Sequence, residues 1–313
     1  MILTTPVIEK LHSSFPEASV DILVKSGMEG LFSGHPFLHE VFAWNKKNRK
    51  FRNFLGILSK VRKTKYDAVI NVQRFALTGI LVSLSGSKVR IGFSKNPFSL
   101  FFTTSIPHIV REGMHETERN LMLIESFAGP SQAKPRLYPT PTDTAKTAVY
   151  KSGVYYTISP ASLWFTKQYP AEKWLEFISY IPPLHKVYFL GSGDDAELCE
   201  GIIRQSGHPG CVNLAGKLGF PESASLMKDA RMNFTNDSAP MHLASAVNAP
   251  VTVIYCSTVP GFGFGPLSDD SRIVEIRDTL SCRPCGLHGF KSCPEKHFRC
   301  ATNIDVDQLA SRL

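Results

Sequence analysis

The chain has 313 residues, 43% hydrophobic and 20% charged, the balance of a folded globular protein with room for two separate cores and no need of disorder. No apolar run approaches the roughly 18 residues of a membrane span, and the N-terminus lacks a charged stretch followed by a signal-type apolar run, so a cytoplasmic protein is expected. A formal net charge of +8 calls for an anionic partner, which on charge alone is nucleic acid, a membrane surface or a phosphorylated substrate.

Thr4-Thr5-Pro6 predicts a helix start with Val7, Ile8 and Leu11 on one face, and residues 19–25 follow as an alternating strand. Between Lys46 and Lys65 there are nine basic residues and no acidic one. Phe51, Phe54, Leu55, Leu58 and Val61 keep helical spacing there, which predicts a helix with one packed face and one strongly positive face. A solvated surface helix accounts for this pattern. So does contact with anionic lipid or with the phosphates of a lipid-linked acceptor, where each basic group contributes about 1 kcal/mol. No RNA- or DNA-reading motif accompanies the run, so nucleic acid is not expected as a partner. Residues 66–73, 75–84 and 88–93 read as strand, helix and strand, the alternation of a parallel α/β sheet. From 129 to 153 the composition shifts to proline, threonine and lysine, including Pro130, Pro135, Pro139 and Pro141. The expected organisation is a first domain over 1–135, a stiff linker over 136–152 and a second domain over 153–313.

The second domain opens with a strand at 154–159, a loop over 160–170 and a helix from Ala171. A strand at 186–190 then runs into Gly191-Ser192-Gly193-Asp194-Asp195-Ala196, which meets the G-x-G-x-x-A dinucleotide fingerprint and raises the reading of an NAD-dependent oxidoreductase or epimerase. Charge argues against it, because Asp194 and Asp195 lie where the pyrophosphate would sit, and no acidic residue follows about 20 positions on to take the ribose. A carboxylate here suits the ribose of a nucleotide whose phosphates sit elsewhere, or simply caps the helix. Farther on come a strand at 231–235, the turn Asn236-Asp237-Ser238, a helix at 239–247, an Asn248-Ala249-Pro250 stop and a strand at 251–255. Pro240 needs no N–H donor at the second helical position, and a helix N-terminus offers aligned N–H groups and about half a positive charge. The turn therefore reads as a phosphate or diphosphate site with Ser238 as an added donor. Plain capping by Asp237 or Ser238 is the competing explanation.

Four of the seven cysteines form Cys282-x2-Cys285-x7-Cys293-x6-Cys300. The count suits a structural zinc, but the second C-x2-C knuckle is missing, so reduced and packed thiols are the other reading.

The stretch TNDSAPMHLASA resembles the signature of glycosyltransferase family 9, the heptosyltransferases of lipopolysaccharide synthesis. The matching residues are Thr235, Asn236, Asp237, Ser238, Pro240, Met241, His242, Leu243 and Ala244, then Thr258, Pro260, Gly265 and Pro266. Ala239 stands where the family usually has glycine. The loop from Pro160 through Thr166-Lys167 to Pro170, the RIGF strand ending at Phe93, and His115 followed by Glu118-Arg119-Asn120-Leu121 are also similar to the family. The resemblance implies an α/β fold of GT-B type, two Rossmann-like domains facing a cleft. It implies inverting transfer of a heptose from a nucleotide-diphospho-sugar, ADP-heptose by resemblance, to a lipid-linked lipopolysaccharide core saccharide, with no cofactor required and with peripheral contact at an anionic membrane. The donor residues it implies are Thr166, Lys167, Asp195, Leu218, Asp237, Ser238, Ala239 and His242, and the acceptor-side residues are Thr4, Thr5 and His115. It also implies a central strand and a Gly-Asp turn, carrying the catalytic base, directly ahead of Ile2-Leu3-Thr4-Thr5-Pro6. Neither is in this sequence. The expectation is therefore an N-terminally truncated first domain with no catalytic base within the chain, its functional form beginning earlier, the alternative being a non-catalytic nucleotide-sugar-binding relative.

Overall fold

The computed structural model describes residues 1–47, 49–110 and 113–313. The chain divides into two units, Leu3–Lys134 and Pro135–Leu313.

In unit 1, α1 (Thr5–Ser14) starts with Pro6 in its first turn. Strand β1 (Asp21–Lys25) pairs in parallel with β2 (Glu40–Trp44), Asp21 opposite Glu40. After α2 (Lys50–Thr64) come β3 (Ala68–Asn71), α3 (Ala76–Ser83), β4 (Val89–Phe93) and β5 (Thr104–Ile106), and these strands form a second parallel sheet in the order β3-β4-β5. Short helices α4 (Glu116–Leu121) and α5 (Glu125–Ala128) close the unit over a core of Val7, Ile91, Phe93, Leu121, Leu123 and Ile124. Among the described residues no ladder joins the two sheets, so β1 and β3 are each hydrogen-bonded on one side, and their residues are mostly half-buried.

Helix α2 forms where the basic run predicts it, yet its packed face is narrower than the spacing suggests. Phe54, Leu58 and Val61 are half-buried, whereas Phe51 is 82% and Leu55 61% exposed. The stripe that packs is a single row, and the residues flanking it turn outward among the basic side chains.

Unit 2 begins with a helix inside the expected linker. Helix α6 (Pro141–Thr147) is opened by a capping box, with Thr140 Oγ1 accepting from Asp143 N at 3.2 Å and Asp143 Oδ2 accepting from Thr140 N at 2.7 Å. It docks on α9 (Phe220–Lys228) through Thr147 and Ser225, whose hydroxyls are 3.2 Å apart. The elements that follow are β6 (Tyr155–Ser159), α7 (Ala171–Ile178), β7 (Lys186–Phe189), α8 (Ala196–Ser206), β8 (Cys211–Asn213), α9 (Phe220–Lys228), β9 (Met232–Asn236), α10 (Ala239–Ala246), β10 (Val251–Tyr255) and β11 (Ser271–Glu275).

All strands of unit 2 lie in one parallel sheet of order β11-β10-β9-β6-β7-β8. Strands β6, β9 and β10 are buried at every residue, as expected for central strands rich in aromatic and β-branched side chains covered on both faces. Some polar side chains inside pair with each other, for example Thr157 Oγ1 donating to Asn233 Oδ1 at 2.6 Å. Trp174, Phe177, Phe189 and Phe234 dominate one side of the core, with the rings of Phe177 and Phe234 4.5 Å apart. The chain runs outward from β6 through β7 to β8 and then returns to β9 on the other side of β6. The strand order thus reverses between β6 and β9, and an open parallel sheet takes its ligands at the carboxyl ends beside such a reversal.

Candidate functional site

Three loops meet at that reversal, those leaving β6, β9 and β10. Lys167, on the first, places its Nζ 2.7 Å from Oδ2 of Asp237, on the second. Thr258, on the third, donates its hydroxyl to the same oxygen at 2.7 Å. The Lys167 and Asp237 side chains are 15% and 9% exposed, which shields the pair from bulk water while leaving it open to a ligand. The buried Asn236 fixes the first loop at both ends, its Nδ2 donating to Pro160 O at 2.7 Å and its Oδ1 accepting from Tyr169 N at 3.0 Å.

Helix α10 starts immediately beyond Asp237. Ser238 has extended backbone, φ −153° and ψ 180°, and its hydroxyl caps none of the helix N–H groups but lies 3.4 Å from Asn236 O. Asp237 is turned to Lys167 and Thr258 and so does not cap either. The helix end is thus not closed by its own side chains, and it stands beside an ammonium group. An ammonium group beside uncapped helix N–H groups has the chemistry to receive an anion with more than one charged oxygen, and in this structure Asp237 balances Lys167. Ala239 is exposed at the first helical position, and His242 is half-buried one turn farther along.

The loops after β7 and β8 adjoin one another. Gly216 N donates to Gly191 O at 2.9 Å, and a Cβ on Gly216, whose φ is +75°, would fall 2.8 Å from Gly193 Cα, so only glycine allows this approach. Asp195 Oδ2 accepts from both the N–H and the hydroxyl of Ser192 at 2.7 Å, the capping arrangement. Leu218 is half-buried in the loop that follows β8.

The hydroxyl of Thr166 is not turned to this site. It is buried and accepts from Phe290 N at 2.8 Å and from Ser257 Oγ at 3.0 Å, so it holds loops together. The cysteine-rich segment supplies that contact, but its sulphurs are not gathered as a zinc site requires. Among the described residues, the His, Cys, Asp or Glu group of three or more whose ligand atoms all lie within 4.8 Å is Asp21, His39 and Glu40. Cys285 Sγ donates to Cys282 O at 3.1 Å, Cys282 Sγ lies 3.8 Å from His297 Nε2, and burial, with the other three cysteines nearby, pushes the Cys300 thiol up to about 12. Packed thiols fit this geometry. The Asp21, His39 and Glu40 group is an ion-pair and hydrogen-bond network completed by Tyr66 and Lys60.

In unit 1, Thr5 is fully buried and the Thr4 hydroxyl donates to Met1 O at 2.6 Å. His115 is the N-cap of α4, its Nδ1 accepting from Thr117 N at 3.2 Å while its own N–H donates to Glu118 at 2.8 Å. His108, which no motif singled out, is buried with Nε2 3.7 Å from Glu116 Oε2. Glu116 also accepts from the buried Arg119 at 2.7 Å.

The profile of glycosyltransferase family 9 (heptosyltransferase) matches residues 55–293. The chain belongs to this family. Lipopolysaccharide heptosyltransferase 3 of Escherichia coli is 29% identical to it over 273 residues, covering 82% of this chain and 80% of that protein. The heptosyltransferase 3 of Escherichia coli strain K12 is 26% identical over 82% of the chain and 79% of its own length. Among solved structures, a family 9 glycosyltransferase from Veillonella parvula superposes with a TM-score of 0.87 at 20% identity, over 99% of this chain and 92% of that one. The ADP-heptose lipopolysaccharide heptosyltransferase II of Escherichia coli superposes with a TM-score of 0.82 at 18% identity, over 100% and 93%. These likenesses establish the fold, an α/β architecture of GT-B type with parallel sheets in both units. In this family 9 chain the signature residues Asn236, Asp237, Ser238 and Thr258 are the ones that build the reversal point of the second sheet.

Proposed function

We propose that this chain is an inverting heptosyltransferase that moves heptose from ADP-heptose to a lipopolysaccharide core sugar, with the donor held by unit 2. The observation that carries the reading is the Lys167–Asp237 pair beside the uncapped end of α10, at the strand reversal of a family 9 chain. The diphosphate takes the Lys167 ammonium and the helix N-terminus. As the acceptor oxygen bonds to the anomeric carbon, the bond from that carbon to the diphosphate breaks, and ADP leaves with the electron pair while Lys167 and the helix end stabilise its growing charge. Asp237, no longer fully occupied by Lys167, accepts from sugar hydroxyls. Asp195 and Leu218, on neighbouring loops, border the ribose and base. The acceptor proton goes to a base other than Asp237, whose carboxylate is engaged by Lys167 and Thr258. Unit 1 receives the acceptor.

Calorimetric titration tests the donor reading. ADP and ADP-heptose should bind, and Lys167→Ala should weaken ADP about tenfold, the loss expected for one charge-assisted contact. Binding of NAD with none of ADP would sink it. Because the site's carboxylate is already held by Lys167 and Thr258, a protein that binds donor without transferring it is the second reading, and single-turnover assay with a core acceptor separates the two.

No helix of the described residues is long and apolar enough to cross a membrane. Contact with an anionic lipid surface is the reading we attach to α2, where Phe51 and Leu55 are exposed amid Lys50, Arg52 and Lys47. Binding to anionic vesicles should fall with added salt, and indifference to salt removes the idea.

A further inference from the structure

Arg283 belongs to none of the loops that form the anion site, yet it is bonded to one of them more heavily than any site residue is. Its side chain is 11% exposed. Nε donates to Cys256 O at 2.7 Å, and Nη2 approaches Tyr255 O at 3.2 Å, Thr258 O at 2.8 Å and Glu275 Oε2 at 2.6 Å. The three carbonyls belong to buried residues at the end of β10, the turn that presents the Thr258 hydroxyl to Asp237. A guanidinium spans such spread acceptors from two nitrogens held in one plane, whereas an ammonium group must reach them from a single nitrogen.

The rest of the segment extends this grip to the loop after β6. Cys285 N donates to Ser257 O at 2.9 Å, and Ser257 N donates to Thr166 O at 3.2 Å. Thr166 and Phe290 exchange backbone and hydroxyl bonds, Thr166 N to Phe290 O at 3.1 Å and Phe290 N to Thr166 Oγ1 at 2.8 Å. Gly289, with φ +80°, lies so close that a Cβ there would be 3.0 Å from Lys167 Cγ. Residues 283–290 therefore touch the carbon stem of Lys167 on one side and hold the carbonyl of Thr258 on the other.

We propose that residues 283–290 are a clasp that sets Lys167 and Thr258 against Asp237, with Arg283 as the positioning residue for the donor site. The consequence for ADP rests on the donor reading above; the geometry of the clasp does not. Arg283→Lys keeps a cation for Glu275 but loses the fork. Hydrogen exchange read by mass spectrometry should then quicken about tenfold at residues 164–168 and 255–259, with other peptides of unit 2 unchanged, as expected for loss of a charge-assisted bond. ADP affinity should fall about tenfold in Arg283→Lys and in Thr258→Val, and the double variant should be no worse than the weaker single, because both act through one chain of contacts. If Arg283→Lys fails to fold, Gly289→Ala is the second probe, expected to weaken ADP while leaving the Thr258 peptide protected. Unchanged exchange in both loops overturns the clasp, and so do ADP effects of Arg283→Lys and Thr258→Val that multiply. Absence of ADP binding in the unaltered protein would strike the donor reading, and the exchange result would still decide the clasp.

Discussion

Lys167 and Asp237 are locked 2.7 Å apart in a site whose expected ligand is an anion, so the lysine is preset and the ligand must share it with a carboxylate. The two residues therefore pull ADP affinity in opposite directions. Lys167→Ala removes the attraction. Asp237→Asn releases the ammonium to the diphosphate, so ADP should bind as well as or better than before, while transfer falls because the sugar has lost its acceptor. Stability should drop in both, by less than the roughly 3–5 kcal/mol of a fully buried pair, since both side chains keep some water contact. Calorimetry beside a turnover assay checks the contrast; a parallel loss of ADP affinity in both variants would contradict it.

Ser238 gives a second pair of opposed effects. Its hydroxyl caps no helix N–H, so Ser238→Ala should leave stability within about 0.5 kcal/mol of the original. Ser238→Asp should instead stabilise α10 by about 0.5–1 kcal/mol through capping and the helix dipole, and weaken ADP by placing a carboxylate at the proposed diphosphate site. Thermal melting and ADP titration on the same samples are the check, and a rise in ADP affinity for Ser238→Asp would move the phosphate away from this helix.

The β9, turn, α10 and β10 unit was legible in the sequence because its punctuation is local. Pro240 and Pro250 bound the helix, and the run Val251-Thr252-Val253-Ile254-Tyr255 marks a strand buried on both faces. Other features depended on distant partners. The loop's resemblance to the family implies a ligand contact for Thr166, but its hydroxyl is taken by Phe290, 124 residues away in sequence. Asn236 and Arg283 act through carbonyls and amides that no motif displays. The α6 helix was within reach, since Thr140-Pro141-Thr142-Asp143 spells a capping box with proline in the first turn, but the surrounding prolines and threonines read as a strap. The split of the unit 1 strands into two sheets follows from pairing, which composition does not report.

Asn236 should be a stability residue as much as a site residue. Asn236→Ala leaves Tyr169 N and Pro160 O without their side-chain partner inside the protein, at about 1–3 kcal/mol for each group. Urea unfolding should therefore show a loss of about 2–5 kcal/mol, with faster exchange across 160–170. A loss under 0.5 kcal/mol would mean that water replaces the amide and that Asn236 does not hold the loop.

The last prediction concerns acid. Burial lowers the pKa of His108 from the ordinary 6.5, the Arg74 guanidinium lowers it further, Glu116 opposes them, and Arg119 and Lys95 add to the lowering. The imidazole also meets the Phe93 ring edge-on with centroids 4.7 Å apart, a contact that offers a proton no compensation. Its folded pKa thus lies below its unfolded one, so on acidification the unfolded chain binds the proton first. The stabilisation is fully present above the unfolded pKa and is lost as pH falls through 6.5 toward the folded value. His108→Gln removes this titration while keeping a polar side chain of similar reach. The difference in unfolding free energy between the original and His108→Gln should be flat above about pH 7.5 and shrink in favour of the variant as pH drops below about 6.5. A difference that grows on acidification would mean that the Glu116 carboxylate outweighs burial and that His108 is charged in the folded protein.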